Sequence, residues 1–198
     1  MSQDADRAVY DLTPAVRIIV LFGVVLASTC YTATILVATT LLPQMQGGLS
    51  ATQDEISWVM TFNIIATAVA TPMTGWLVER FGRRATMVGC LVGFTAATMM
   101  CGASTSLEML VFWRIMQGGI GAPLVPLSQT LLLDSFPRRQ HGMVMSLYGM
   151  SNILGPVIGP TLGGYVGEHM GWPWGFYMVL PVSVIAFVLF RAFLPGDP

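Results

Sequence analysis

The stretch LEMLVFWRIMQGGIGAPLVPLSQTLLLD, from Leu107 to Asp134, carries one charge between its acidic ends, and that charge is Arg114. Its length fits a helix that crosses a lipid bilayer, because such a helix needs roughly 20 mostly apolar residues. An arginine at the centre of a membrane helix costs roughly 2.5–3.5 kcal/mol on insertion scales, and its guanidinium stays protonated. The stretch therefore predicts a transmembrane helix, and the presence of Arg114 within it, at this energetic cost, needs an explanation.

The composition places the whole chain in the membrane class. Its 198 residues are 54% hydrophobic and 10% charged, with a mean hydropathy of +0.69, whereas soluble domains carry about 25% charged residues. We therefore expect membrane lipid, and not nucleic acid, around the chain. Six runs of 21 to 26 residues, uncharged except for Arg114, predict an all-α protein with six transmembrane helices. The runs cover residues 18–42, 56–78, 85–107, 109–133, 142–167 and 170–190.

The connections between these runs are short, so consecutive helices are predicted to be antiparallel neighbours in one bundle. We assign residues 16–194 to this transmembrane domain, residues 1–15 to an N-terminal tail and residues 195–198 to a short C-terminal end. Eight of the nine arginines lie outside the runs, before the first, after the last, or in alternate connections. The positive-inside rule makes those segments cytoplasmic. Both termini are then cytoplasmic, in a protein predicted to be integral to the plasma (inner) membrane.

The sequence predicts no metal site and no cofactor. Three cysteines, Cys30, Cys90 and Cys101, fall inside the predicted spans without the spacing of metal ligands or of a disulfide framework, so we assign them to packing. The spans also contain no His–Glu cluster and no paired aspartates of the kind that a membrane-embedded hydrolase would use. We therefore predict that the protein is not an enzyme.

Two helix ends form a faint internal repeat. PMTGWLVERFG (Pro72–Gly82) ends the second run, and PTLGGYVGEHMG (Pro160–Gly171) ends the fifth. With one inserted residue, both contain a proline, a glycine, an aromatic residue, a glutamate and a final glycine in the same order. The predicted topology puts these ends on opposite sides of the membrane, as an inverted three-plus-three repeat would. Chance agreement between two glycine-rich segments is the alternative.

The segment GWLVERFGRR (Gly75–Arg84) forms the predicted turn between the second and third helices. Gly75 permits close helix approach, and Gly82 can adopt the left-handed conformation that reverses the chain. Plain topology explains the arginines of this turn. It does not explain Glu79, an acid near a helix C-terminus where the helix dipole disfavours it. We interpret Glu79 and Arg80 as a charged pair with a gating role.

The segment LGPVIGPTLGG (Leu154–Gly164) places Gly155, Gly159 and Gly163 on one face of the fifth helix. Without side chains on that face, another helix can approach backbone to backbone. The two prolines between these glycines each remove a helical hydrogen bond. On physical grounds alone, the pattern is explained by an ordinary tight interface between membrane helices.

Arg114 has two interpretations. It lies about 9 Å from the predicted outer end of its helix, at ~1.5 Å per residue, so its long side chain could extend to the outer headgroups. Otherwise it faces the bundle interior or a wet cavity, where it holds an anion, a carboxylate or backbone carbonyls. Gln117 lies one turn later and can share that face. The neighbouring Trp113 is either a membrane anchor or a surface on which a substrate stacks.

Together these segments resemble the major facilitator superfamily. GWLVERFGRR resembles its signature loop between the second and third helices, FWRIMQGGIGAPLVPLS its fourth-helix motif, and LGPVIGPTLGG its fifth-helix antiporter motif. The segments QDEISWV, PMTGW, PLSQTLLLD and WPWGFYMVLPV are similar to the drug–proton antiporter branch with fourteen helices. The resemblance covers residues 15–194.

The resemblance implies the N-terminal six-helix half of a proton-coupled multidrug efflux antiporter, which works by alternating access against a second half of six to eight helices. Hydrophobic small molecules would be its substrates and protons its coupling ion, without a cofactor. Arg114 and Gln117 would belong to the substrate or proton pathway. The cytoplasmic gating motif would comprise Gly75, Glu79, Arg80, Gly82, Arg83 and Arg84, and the antiporter motif Gly155, Pro156, Gly159, Pro160, Gly163 and Gly164.

Two features depart from the pattern of this branch. Its members usually carry an aspartate ahead of a proline in the first span, where this chain reads STCYTATILVATTLLP (Ser28–Pro43), with threonines and no acid. The chain also stops at Pro198, so we expect a truncated product or, alternatively, a homodimer that imitates the two halves. The rival from another class is a non-transporting membrane protein, either a scaffold or a channel-like bundle.

Overall fold

The computed structural model describes residues 12–194, and this part of the chain is all-α. Most of the predicted N-terminal tail, with Arg7, and the predicted end at 195–198 lie outside the described residues. A single 3₁₀ turn, Arg138–Gln140, separates the fourth and fifth of six long helices. These helices are α1 (Pro14–Leu49), α2 (Gln53–Phe81), α3 (Arg83–Gly102), α4 (Leu107–Ser135), α5 (His141–Met170) and α6 (Trp172–Phe193).

Prolines interrupt three of these helices. Helix α2 passes through a 3₁₀ turn at Thr71–Met73, α4 is broken between Gly121 and Leu124, and α6 is broken between Tyr177 and Leu180. Each interruption contains a proline or lies within two residues of one, and proline has no N–H for the helical hydrogen bond. The prolines inside α1 and α5 leave those two helices continuous.

Five helices, α1, α2, α3, α4 and α6, are long and apolar enough to cross a membrane. Helix α5 has the necessary length, 30 residues, but its glycines, prolines, serines and asparagine dilute its apolar character. It packs alongside α1 in the same bundle. Composition therefore supports five of the predicted spans, and length and packing support the sixth.

Capping residues set helix boundaries that the uncharged runs do not reveal. The run 85–107 overshoots α3, which ends at Gly102. The hydroxyl of Ser106 accepts a hydrogen bond from the Met109 N–H at 3.2 Å and thereby starts α4. Thr52 and Glu55 form a capping box at the start of α2. Such caps satisfy N–H groups of the first turn that have no partner within the helix.

Two glycines give the internal repeat a backbone counterpart. Gly82 (φ 81°, ψ 159°) joins α2 to α3, and Gly171 (φ 95°, ψ 156°) joins α5 to α6. Within residues 12–194, no other glycine has a positive φ. Because residues with side chains rarely adopt this backbone region, glycine is needed at both turns. The second and third helices of each three-helix repeat, α1–α3 and α4–α6, are thus connected in the same way.

The first helix of each three-helix repeat packs against a helix of the other repeat, as expected for an inverted repeat. Helix α1 packs against α5, and α4 packs against α2, so the first helix of each repeat contacts the second helix of the other. Ideal Cβ atoms built on Gly155, Gly159, Gly163 and Gly167 would lie 2.5, 3.0, 2.9 and 2.3 Å from atoms of α1. The glycine face of α5 therefore brings the two backbones together, and it extends one turn beyond the predicted motif, to Gly167.

Buried apolar side chains fill the space between the helices. One cluster surrounds Tyr148 and Phe190, and a second surrounds Leu41 and Phe176. The three cysteines belong to these clusters as free, buried thiols: Cys30, Cys90 and Cys101.

We predict that Gly159→Leu loosens the contact between α5 and α1. The new side chain would meet backbone atoms of Ala33 at 3.0–3.2 Å, and overpacking of this kind costs about 1–3 kcal/mol. The melting temperature of the purified chain in mild detergent should fall accordingly. Gly149→Leu on the same helix is the matched control, because a Cβ at Gly149 meets nothing within 4 Å. Equal melting temperatures for the two variants would contradict this packing.

Candidate functional site

Arg114 lies inside the helix bundle, with no part of its surface exposed. Its Nη1 donates to Gln117 Oε1 at 2.5 Å, its Nε donates to the backbone carbonyl of Val59 at 3.4 Å, and its Nη2 donates to Met60 Sδ at 3.5 Å. Helix α4 therefore supplies one acceptor and α2 supplies two. Extension of the side chain to the headgroups, the first of the two interpretations, does not occur.

The guanidinium of Arg114 has no carboxylate partner among residues 12–194. Its acceptors are an amide, a backbone carbonyl and a thioether, and its Cζ lies 6.0 Å from the ring centroid of Phe176, within cation–π range. A buried cation without a counter-ion depends on such hydrogen bonds, because the desolvation cost of a charge in an apolar medium is large. The acids of the described chain lie at helix ends: Asp54, Glu55, Glu79, Glu108, Asp134 and Glu168.

Gln117 extends the polar cluster to a third helix. Its Oε1 accepts from Arg114, while its Nε2 donates to the hydroxyl of Thr98 on α3 at 2.7 Å. Thr98 in turn donates to the backbone carbonyl of Phe94 at 2.7 Å. Gln117 and Thr98 are both buried. The amide of Gln117 is thus oriented from both ends, since its two hydrogen bonds require an acceptor on one side and a donor on the other.

A second row of polar side chains comes from α2 and α1. Asn63 Nδ2 donates to the backbone carbonyl of Arg114 at 2.7 Å. The hydroxyl of Thr67 donates to the carbonyl of Asn63 at 2.9 Å and lies 3.0 Å from the hydroxyl of Tyr31 on α1. Side chains of α1, α2, α3 and α4 therefore meet around one residue, Arg114, which the sequence had singled out.

The sequence predicted Arg114 and Gln117 but missed the residues that surround them. Asn63, Thr67, Thr98 and Tyr31 lie in uncharged runs, where single polar residues have no distinguishing spacing. The best signal was Asn63, which is the one asparagine of the second run, because a lone amide within a membrane helix needs a polar partner. Which partner it finds depends on the packing of a helix 51 positions away.

The predicted gating motif occupies the turn from α2 to α3. The side chain of Arg83 forms a salt bridge with Asp134 at the end of α4, and Arg84 Nη2 donates to the carbonyl of Arg191 at 3.0 Å. These contacts tie the start of α3 to α4 and α6. In the described chain, Glu79 and Arg80 are exposed and make no salt bridge with each other. A Cβ on Gly75 would meet nothing within 4 Å, so this glycine leaves open surface.

The predicted antiporter motif lies on α5, opposite α1. Gly155, Gly159 and Gly163 face α1, and a Cβ on Gly164 would lie 3.4 Å from Thr40 Cγ2. Pro156 and Pro160 lie within the continuous helix: α5 runs through both from His141 to Met170. Among the described residues, no group of His, Cys, Asp or Glu is arranged to hold a metal ion. The polar cluster around Arg114 is the candidate site.

The family model for the Major Facilitator Superfamily matches residues 20–198 of the chain, which is most of its length. The chain belongs to the Major Facilitator Superfamily. With its apolar membrane-length helices, it is an integral membrane protein of that superfamily.

Two curated superfamily relatives carry names that describe export or resistance. The chain is 33% identical over 160 residues to the multidrug export protein EmrB of Escherichia coli (strain K12), covering 81% of this chain and 31% of EmrB. It is 36% identical over 150 residues to the fatty acid resistance protein FarB of Neisseria gonorrhoeae, covering 76% of this chain and 30% of FarB. The chain thus spans about a third of the length of these relatives.

The fold is that of half a superfamily transporter. The inward open conformation of the xylose transporter XylE from E. coli matches with a TM-score of 0.74 at 17% sequence identity. The match covers 92% of this chain and 49% of XylE. At this low identity the likeness concerns the fold alone, and it supports the predicted six-helix half of a major facilitator fold.

We predict that Gln117→Leu destabilises the bundle, because it removes an acceptor from the buried cation Arg114. The expected loss is about 1–3 kcal/mol, the usual cost of leaving a buried polar group without its partner. In the Arg114→Met background, Gln117→Leu should cost much less stability, because no buried cation then needs the acceptor. Thermal unfolding of the single and double variants measures this coupling. The control is Gln129→Leu, at an exposed position of α4. Additive effects of Gln117→Leu and Arg114→Met would contradict the pairing.

Proposed function

We propose that the chain forms the N-terminal six-helix half of an efflux transporter that exports hydrophobic compounds by alternating access. Its superfamily membership, its half-transporter fold and the export and resistance names of its relatives support this proposal. In this account it is a transporter and not an enzyme. It lies in the inner membrane with both termini in the cytoplasm, the side on which its arginine-rich turns are expected.

The single observation that carries the proposal is the complete burial of Arg114. A scaffold gains nothing from a buried cation, because apolar replacements of buried charges are often neutral or stabilising. A transporter does have a use for one. Its polar interior exchanges hydrogen-bond partners when two halves rock around a central pathway, and ionisable residues within membrane spans mark such pathways.

The cytoplasmic end of α2 supports a second bundle as the partner. Gly75 leaves open surface, and Glu79 and Arg80 are exposed without a salt bridge to each other. We propose that the second half of the transporter covers this surface and pairs with these charges, which would give the motif its gating role. A second copy of the chain is the alternative partner, since the two halves of the fold are related by an axis along the membrane normal.

We propose protons as the coupling ion. The guanidinium of Arg114 keeps its charge and therefore does not itself exchange the coupled proton; that exchange requires a titratable group, and α1 contains no carboxylate. The first span has threonines where the antiporter branch has an aspartate. Four of the five donate to carbonyls of their own helix, and Thr29 donates to the carbonyl of Ser151 on α5 at 3.3 Å. Thr32 donates to the carbonyl of Ser28 at 3.0 Å, and Thr34 to that of Cys30 at 2.6 Å. Four of these hydroxyls are therefore satisfied within α1, and the interior charge of the described spans is Arg114.

We predict that Arg114→Met preserves folding but abolishes export. Everted membrane vesicles that contain the full-length protein would be energised with a proton gradient and supplied with a hydrophobic fluorescent dye. Uptake into these vesicles should fall by about tenfold or more in the variant, because loss of a pathway group is comparable to loss of a positioned catalytic group. The melting temperature should stay near that of the parent, because apolar replacements of buried charges are often neutral or stabilising.

The matched control is Arg138→Met, at an exposed arginine of the turn before α5, which should transport normally. Unchanged transport in Arg114→Met would remove Arg114 from the pathway. A parent protein that moves no dye, with or without a gradient, would favour the scaffold over the transporter.

A further inference from the structure

We propose that Asn63 is a positioning residue for Arg114 and acts on it through the backbone of α4. The inference rests on the proposed transport function, because it assigns Asn63 a role in transport through Arg114. Asn63 lies outside every motif that the sequence indicated. Asn63 lies on α2 and is 2% exposed. Its side chain forms a hydrogen bond with the main chain of Arg114 and not with the side chain of either predicted pathway residue.

The contact between α2 and α4 is reciprocal at this point. Asn63 Nδ2 donates to the backbone carbonyl of Arg114 at 2.7 Å, and Arg114 Nε donates to the backbone carbonyl of Val59 at 3.4 Å. Val59 and Asn63 are four residues apart and so lie on the same face of α2. Each helix thus holds a carbonyl of the other. The pair fixes both the main chain and the side chain of Arg114 relative to α2.

The main chain of Asn63 is itself anchored. The hydroxyl of Thr67 donates to the Asn63 carbonyl at 2.9 Å, lies 3.3 Å from the Gly118 carbonyl on α4, and contacts the Tyr31 hydroxyl at 3.0 Å. A displacement of α1 at Tyr31 would therefore be transmitted through Thr67 to the turn of α2 that carries Asn63. Arg114 is connected to α1 by hydrogen bonds at every step.

Gly118 provides the space that the Asn63 amide needs. A Cβ at this position would lie 2.5 Å from the Asn63 carbonyl oxygen and 2.8 Å from its Nδ2. Any side chain on residue 118 would push the amide away from the Arg114 carbonyl. The glycine of α4 and the asparagine of α2 are thus complementary, one turn away from Arg114.

Asn63 is not the residue that stability alone would select. Its Oδ1 is buried without a hydrogen-bond partner among residues 12–194, and an unpaired buried acceptor costs free energy. The Arg114 carbonyl also faces Gly118, whose N–H is its ordinary partner four residues on in the helix. Leucine, which shares the γ-branched shape of asparagine, would remove the unpaired acceptor and leave that helical bond intact. The amide is retained at a cost in stability, which points to a role in positioning.

The test compares Asn63→Leu with Asn152→Leu. Asn152 lies on α5 and also has a buried Oδ1 without a partner, but no hydrogen bond or salt bridge joins it to an arginine in the described chain. Both substitutions should leave the melting temperature unchanged or higher. Only Asn63→Leu should lower the maximal transport rate, by about tenfold, with a smaller effect on the half-saturating dye concentration.

A spectroscopic readout separates positioning from a merely structural role. The ¹⁵Nε resonance of Arg114, assigned by its absence in Arg114→Met, should move in Asn63→Leu and stay in place in Asn152→Leu. An unmoved resonance in Asn63→Leu would overturn the inference, as would a transport loss that matches a fall in melting temperature. Because the resonance and the melting temperature need no transport, they test Asn63 even if the parent protein proves not to transport. Failure of the inference with transport intact leaves the proposed function standing.

Discussion

The need to satisfy the buried guanidinium of Arg114 is the constraint that organises the polar interior of this bundle. Hydrocarbon offers no partners, so each polar group within the spans must be satisfied by the protein. Most polar side chains here manage this locally: Thr34, for example, donates to its own helix. A guanidinium cannot, because it has several donors in a plane and keeps its charge. Arg114 therefore draws on α2 as well as α4, and through Gln117 on α3.

Close helix approach is what makes backbone carbonyls available to Arg114 and its neighbours. Gly118 lets Asn63 reach the carbonyl of Arg114, and on the other side of the inverted repeat Gly155 and Gly159 bring α5 against α1. The same geometry thus serves both repeats, one of which carries the cation. We infer that movement between the halves of a transporter would act on Arg114 through these tight, glycine-dependent contacts.

Much of the fold was predictable because its signals are local in the sequence. Uncharged runs define helices, and four-residue spacing defines the face of Gly155, Gly159 and Gly163. The surroundings of Arg114 were not, because Asn63 and Arg114 are 51 positions apart and their contact follows from packing. The third run overshot α3 because Ser106 begins the next helix without carrying a charge. Gly75 was expected to permit close helix approach, yet in the described chain its surface is open.

The most direct measurement is solid-state NMR of the chain in phospholipid bilayers, with ¹³C at Arg114 Cζ and ¹⁵N in the side-chain amide of Gln117. Gln117 Nε2 should produce measurable dipolar dephasing of Arg114 Cζ, because the guanidinium Nη1 and the amide Oε1 are hydrogen-bonded at 2.5 Å. Dephasing by lipid ³¹P should be absent. Dephasing of Arg114 Cζ by lipid ³¹P, with none by Gln117 ¹⁵N, would mean that Arg114 lies among the headgroups. That result would contradict a buried cation at the centre of a transport pathway.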